Sequence, residues 1–218
     1  TYIIDILERN RVKNSAELEE LLAMLASGIG GLTNPQKLSN TFKTAKNVSI
    51  GAPTLKSYID YFCDAFLVEQ VNRYDVKGKR YIGTPLKYYF SDLGLRNALL
   101  NFRQVEKTHL MENLIYNELR GRGYNVDVGV VPYNGKNAQG VSFRTQLEVD
   151  FVCNKGSQRL YVQSALALPT QEKIDQETKS LRRIDDGFQK MVVVGDHTIG
   201  SHDESGILFI NIYDFLMQ

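Results

Sequence analysis

The chain has 218 residues, 43% of them hydrophobic, enough for one large domain or two small ones with apolar cores. Lys and Arg total 26 against 25 Asp and Glu, and a net charge of +1 excludes a polyelectrolyte that binds nucleic acid by bulk attraction. No apolar run approaches the roughly 20 residues that span a bilayer, so no membrane partner is expected.

Cys63 and Cys153 match no metal spacing. With so few thiols and no secretory signal, a cytoplasmic location and small buried side chains are expected. The sequence opens at Thr1, mid-pattern in "TYIIDILERNRV", which reads as a fragment of a longer protein or a processed start.

"SAELEELLAMLAS" sets Leu18, Leu21, Leu22 and Leu25 at helical spacing, with Ser15 as N-cap and Gly28 past the end. A second helix starts at Pro35 and buries Leu38, Phe42 and Ala45. The third starts at Pro53, with Leu55, Tyr58, Ile59, Phe62 and Phe66 on one stripe. The strand "LVEQVNRY", the turn "DVKGKR" and the strand "LKYYF" follow. Three helices and a hairpin are the order of a winged helix-turn-helix. "SDLGLRNALLNF" adds one more helix. The boundary falls near Gln104 to Thr108, giving a winged-helix-like domain over 1–105 and a second domain over 106–218.

Beyond it, "HLMENLIYNELRGRGY" is a helix with Leu110, Leu114, Ile115 and Leu119 inward and Gly123 closing it. "NVDVGVVPY" is a strand, and "VSFRTQLEVDFVCN" alternates in period two and pairs with "RLYVQSALAL" across "KGSQ". "TQEKIDQETKSLRRID" is a polar-faced helix carrying Ile174 and Leu181. "KMVVVGD" is a buried central strand, and "GILFINIYDFLM" supplies a strand and a terminal helical turn.

The fold class is therefore α/β: a winged helix followed by an α-β-β-β-α-β domain with one appended strand. That order resembles restriction-endonuclease-like domains. In that family an acid on the second core strand and a Glu-x-Lys on the third hold Mg²⁺, which activates water for phosphodiester hydrolysis. The resemblance places Asp150 at the acid, Gln163-Ser164-Ala165 at Glu-x-Lys, and Glu112 at an extra helical glutamate. Glu112, Asp150 and Gln163 are the candidate catalytic and metal-binding residues, and Mg²⁺ the cofactor if the site is active. Gln163 offers only a neutral carbonyl, and Ala165 no ammonium, so the expectation is a frame that does not cut. Lys155 and Arg159 lie near a turn, where solvated charge is usual. The bland alternative makes Asp150 an exposed residue of a half-buried strand, sharing a face with Glu148. Glu112 and Glu118 would then be solvated helix charges.

"YIIDILERNRV", "TLKSYIDYFCDAFLVEQVNRYD", "LKYYFSDLGLRNALL", "HLMENLIYNELRGRGYNVDVG", "EVDFVCN" and "YVQSALAL" together resemble the C-terminal region of a bacterial and archaeal family of predicted AAA-superfamily ATPases. The resemblance implies an upstream ATPase domain as partner, with ATP bound only there. This chain has no G-x-x-x-x-G-K-[ST] loop and no cofactor of its own is expected.

The third helix presents Lys56, Ser57, Asp60, Tyr61 and Asp64 outward, a mixed face. Lys37, Lys43 and Lys46 on the neighbouring helix, with Lys77, Lys79 and Arg80 at the wing, are candidate phosphate contacts alongside Lys56. DNA and a protein remain alternative partners for this domain, since winged helices dock both. His197, His202 and Asp203 read as a polar loop, His109 as structural, and Gly135 and Gly140 as turn residues. The leading expectation is a non-catalytic docking region of an ATPase. A Mg²⁺-dependent nuclease and a protein-interaction module are the alternatives.

Overall fold

A computed structural model describes residues 2–12, 15–103, 105–136, 140–196 and 200–218. The described residues form an α/β protein with eight α-helices, one 3-10 turn and eight strands in one sheet. Two compact units divide the chain: Thr1–Val71 with Thr84–Asn113, and Asn72–Gly83 with Leu114–Gln218. Among the described residues no helix is long and apolar enough to cross a membrane.

The first unit opens with α1 (Tyr2–Asn10), an element the sequence patterns above do not single out, which buries Ile6. α2 (Ser15–Ser27) buries Leu18, Leu21, Leu22 and Leu25 as expected and ends as the Gly28 N–H donates to the Met24 carbonyl. α3 (Pro35–Lys46) begins at the expected proline. Asn34 caps it, its side-chain oxygen accepting from the Lys37 N–H at 2.8 Å. Leu38 and Phe42 are buried, whereas Ala45 faces solvent.

α4 (Ala52–Asp64) buries Leu55, Ile59 and Phe62. Phe66, expected on that stripe, is 79% exposed. It lies past the helix end, where the chain turns left-handed at φ 56° and swings the ring off the core. The hairpin strands β1 (Val68–Asp75) and β2 (Arg80–Phe90) follow, then α5 (Leu93–Leu99), capped by Asp92. Thr33 and Leu86 exchange two backbone hydrogen bonds of 2.8 Å, tying the α2–α3 connection to β2. Arg96 on α5 is wholly buried, and its Nε donates to the Ala26 carbonyl at 2.8 Å.

α6 (Lys107–Gly121) contributes its first half to the first unit and its second half to the second. Ile115 and Leu119 are buried as expected, but Leu110 is half-buried and Leu114 is exposed. Met111, Glu112 and Asn113 take inward places instead.

In the second unit, β3 (Asn125–Lys136) pairs antiparallel with β4 (Ser142–Lys155), and β4 antiparallel with β5 (Gln158–Ala165). α7 (Gln171–Thr178) stops early, and a 3-10 turn over Leu181–Arg183 replaces the rest of the expected single helix. β6 (Gln189–Val194) lies parallel to β5 and β8 (Leu208–Asn211) parallel to β6, with short β7 (Ser201–His202) at the edge. α8 (Ile212–Leu216) closes the chain. The sheet order is β2-β1-β3-β4-β5-β6-β8-β7, with β1 entering through the parallel pairing of Arg73–Asp75 against Val128–Val130. Val192, Val193 and Val194 are wholly buried, as a central strand covered on both faces requires.

One irregularity bears on the candidate site. Asp127 pairs with Val152 and Gly129 with Val149, so β4 carries one more residue than β3 across this stretch. That is a β-bulge at Asp150 and Phe151, which interrupts the alternation of faces. A Cβ at Gly129 would come within 2.8 Å of Val152 and 2.9 Å of Val149, so the bulged strand closes onto a position that only glycine fits.

Candidate functional site

Asp150 is buried, at 7% exposure, not solvated as simple alternation would have it. Its carboxylate Oδ2 accepts from the Ser164 N–H of β5 at 2.8 Å, beside the bulge. Gln163 lies one strand over. Its Oε1 accepts a long 3.4 Å bond from the Asp150 N–H, and its Nε2 donates a 3.5 Å bond to Glu177 Oε2 on α7. Glu177 Oε1 in turn pairs with Lys173 at 2.5 Å.

An amide suits this position because one end can accept while the other donates. A carboxylate at 163 could still accept from the Asp150 N–H but would have no proton to give Glu177. Ala165 packs in the apolar cluster with Val149, Val152, Val192 and Val194. Among the described residues no group of three or more His, Cys, Asp or Glu side chains is arranged to hold a metal ion. The structure brings Asp150 and Gln163 together, and Glu177 with Lys173 joins them from α7. The only sequence trace of that helix pair is its i, i+4 spacing.

Glu112 belongs to the first unit, whereas Asp150 and Gln163 belong to the second. Within the first unit Glu112 Oε1 receives Lys87 Nζ at 2.8 Å and the Tyr89 hydroxyl at 2.5 Å. All three side chains are buried. The α2–α3 connection comes up against this cluster at Gly30, whose φ is +71°. A Cβ there would lie 3.2 Å from His109 Nδ1 and 3.3 Å from both Glu112 carboxylate oxygens. One residue along, Asn113 accepts from the Phe90 N–H at 2.7 Å and donates to the Phe90 carbonyl at 2.8 Å. A pattern of apolar residues cannot announce this cluster, because its inward positions are polar.

The expected phosphate contacts divide between the units. In the first, Lys46 pairs with Glu20 and Lys56 with Asp60, each at 3.0 Å, and Lys37 donates to the Leu32 carbonyl at 3.3 Å. Lys43 is exposed. In the second, Lys77, Lys79 and Arg80 are exposed around the β1–β2 turn. Asp75 holds that turn by accepting from the Gly78 N–H at 2.9 Å and sits 3.9 Å from Arg80. Tyr81, just beyond, donates its hydroxyl to buried Asp127 at 3.3 Å.

Burial pushes the Asp127 carboxyl above the usual carboxylate range, with the Tyr81 hydrogen bond and Arg159 opposing. The Asp127 charge, then burial, raises the Tyr81 phenol in return. Burial also pushes the Tyr161 phenol up to about 12, aided by its hydrogen bond to Asp186.

The other candidates have local partners. Asp203 accepts from the Ser205 and Ile207 N–H groups at 2.9 Å and pairs with Arg182 at 3.1 Å. His202 is exposed on β7, and His197 lies outside the described residues. Glu118 pairs with Arg122 at 2.8 Å, and Lys155 donates to the Arg122 carbonyl at 2.7 Å.

Residues 1–106 match a family described as "Domain of unknown function (DUF8612)". An uncharacterized protein of Haemophilus influenzae is 33% identical over 214 residues, which is 98% of this chain and 49% of that protein. An uncharacterized protein of Methanocaldococcus jannaschii is 27% identical over 196 residues, 87% of this chain and 43% of that protein. The chain thus spans about half the length of the curated relatives it matches. No solved structure matches it.

Proposed function

We propose that this chain is a nucleic-acid-docking region of a longer protein, joined to a nuclease-like unit that does not cut. Exposed Lys77, Lys79 and Arg80 support the docking half of this reading, and the set Asp150, Gln163 and Glu177 carries the half that denies cutting. The carboxylate that would bind Mg²⁺ accepts a backbone N–H, and the neighbouring ligand position holds a neutral amide bonded to a third residue. A hard divalent cation needs converging anionic oxygens. The order α6-β3-β4-β5-α7-β6, with β5 and β6 parallel, supports a restriction-endonuclease-like frame. Three helices, a hairpin and the Thr33–Leu86 bridge support a winged helix. An upstream ATPase domain is the proposed partner, and a phosphate-binding loop in the other half of the full-length protein is its signature.

The test is direct. The chain should bind a labelled DNA with an affinity that falls steeply with salt, and should leave it intact in Mg²⁺ or Mn²⁺. Metal-dependent cleavage that Asp150→Ala abolishes would replace this reading with the nuclease. No binding to any nucleic acid at low salt would leave protein docking, a reading favoured by the ion pairs that already occupy Lys46 and Lys56.

A further inference from the structure

The hairpin turn of the second unit carries a row of rings and cations that the nuclease-like site does not use. Tyr81 is 66% exposed, and its ring meets Tyr74 edge-on at 5.5 Å. The Arg159 guanidinium lies over Tyr74 at 5.6 Å and over Phe188 at 5.5 Å, and Phe188 is itself 41% exposed. The four side chains thus form one continuous row. Lys77, Lys79 and Arg80 precede Tyr81 in the chain and are exposed. Among the described residues Lys77 and Lys79 form no ion pair.

Three of the acids nearby are held in hydrogen bonds, while Asp185, three residues before Phe188, is exposed. Asp127 is buried behind the Tyr81 hydroxyl, Asp75 holds the turn backbone, and Asp186 accepts from Tyr161 at 2.6 Å. Around the β1–β2 turn, what meets solvent is positive and aromatic, complementary to a ligand with negative charge and flat apolar faces. A duplex offers the charge but keeps its base faces stacked; a single strand offers both.

We propose that this row binds a single strand of nucleic acid, with the Tyr81 ring stacking an unpaired base and Lys77, Lys79 and Arg80 contacting the flanking phosphates. The proposal rests on the reading of the chain as nucleic-acid-docking and adds the form of the ligand and the residue that selects it. The Asp127 hydrogen bond holds the ring in place before the ligand arrives, so little side-chain freedom is lost on binding.

The experiment compares a labelled oligodeoxythymidylate with a duplex of equal length, bound to the full chain and followed by fluorescence anisotropy. Tyr81→Leu should weaken oligothymidylate binding about tenfold and leave duplex binding unchanged. Tyr81→Phe, which keeps the ring but loses the hydrogen bond to Asp127, should weaken oligothymidylate binding by less than Tyr81→Leu does. Lys77→Ala/Lys79→Ala should flatten the salt dependence for the oligonucleotide by about 1.4 in log–log slope.

In the unsubstituted chain, oligothymidylate should slow nitration of Tyr81 and the duplex should not, a readout that holds even if Tyr81→Leu fails to fold. Duplex binding with no preference for the single strand, or a single-strand affinity indifferent to Tyr81→Leu, would overturn this inference and leave nucleic-acid docking standing. Failure of both ligands to bind at low salt would overturn the two together.

Discussion

Lys87 and Glu112 form a buried ion pair, Nζ to Oε1 at 2.8 Å, with the Tyr89 hydroxyl donating to the same oxygen. The pair joins β2 to α6 inside the first unit. Its side chains are only 4% and 9% exposed, so removing one charge strands the other away from water. Glu112→Ala should therefore cost about 3–5 kcal/mol in denaturant unfolding. Lys87→Met/Glu112→Leu, which removes both charges at similar volume, should cost clearly less. Equal losses would mean that packing, and not charge, holds the joint.

Gln163 keeps Asp150 and Glu177 compatible by donating to one and accepting from the backbone of the other. Gln163→Glu would place three carboxylates around one point. That variant should melt at a lower temperature in chelator and recover in millimolar Mn²⁺ or Mg²⁺. The parent should show no metal-dependent shift. Calorimetry on both proteins checks the gain, and equal metal response in the two would count against the geometry assigned to Gln163.

Asp127 has a carboxyl pKa raised by burial. The folded state then holds its proton more tightly than the unfolded state does, so this group's contribution to stability is greatest below the ordinary carboxylate pKa. It declines as pH rises through the folded-state value. Asp127→Asn should raise the melting temperature at neutral pH, and that gain should shrink on acidification. A gain that grows on acidification would contradict the direction of the shift.

The thiols should be inert in the folded protein. Burial pushes Cys63 up to about 11 and shifts Cys153 further in the same direction, which keeps both as thiols at neutral pH. Alkylation by iodoacetamide near pH 7.5 should be slow for both and rapid after denaturation. Fast native labelling of Cys63, the less buried of the two, would contradict this assignment.

The order of elements was legible because it depends on neighbours in the chain. Leucines at helical spacing, Asn34 before Pro35, and the apolar run ending at Val194 each declare a local conformation and an inward face. The errors fall where that logic stops applying. Phe66 lies beyond its helix, at a left-handed residue. The helix expected over 170–185 gives way to a 3-10 turn. Leu114 yields its inward place while Glu112 and Asn113 point into the fold, because their partners, the Lys87 and Tyr89 side chains and the Phe90 backbone, are polar groups more than twenty residues away.

Asp150 marks the same division at the candidate site. Its residue type and its place on a strand before a turn are properties of the sequence, and so are the neutral Gln163 and the small Ala165. Whether the carboxylate faces water or a backbone N–H is a matter of strand register beside the bulge opposite Gly129. The contact between Gln163 and Glu177 depends on how α7 packs over the sheet, and the row from Tyr81 to Phe188 on the assembly of residues 107 positions apart. Local pattern determined the conformations and the chemistry available to this protein. Long-range register and packing decided which groups meet, because hydrogen bonds and stacking act over a few ångströms and carry no trace in the spacing of one chain.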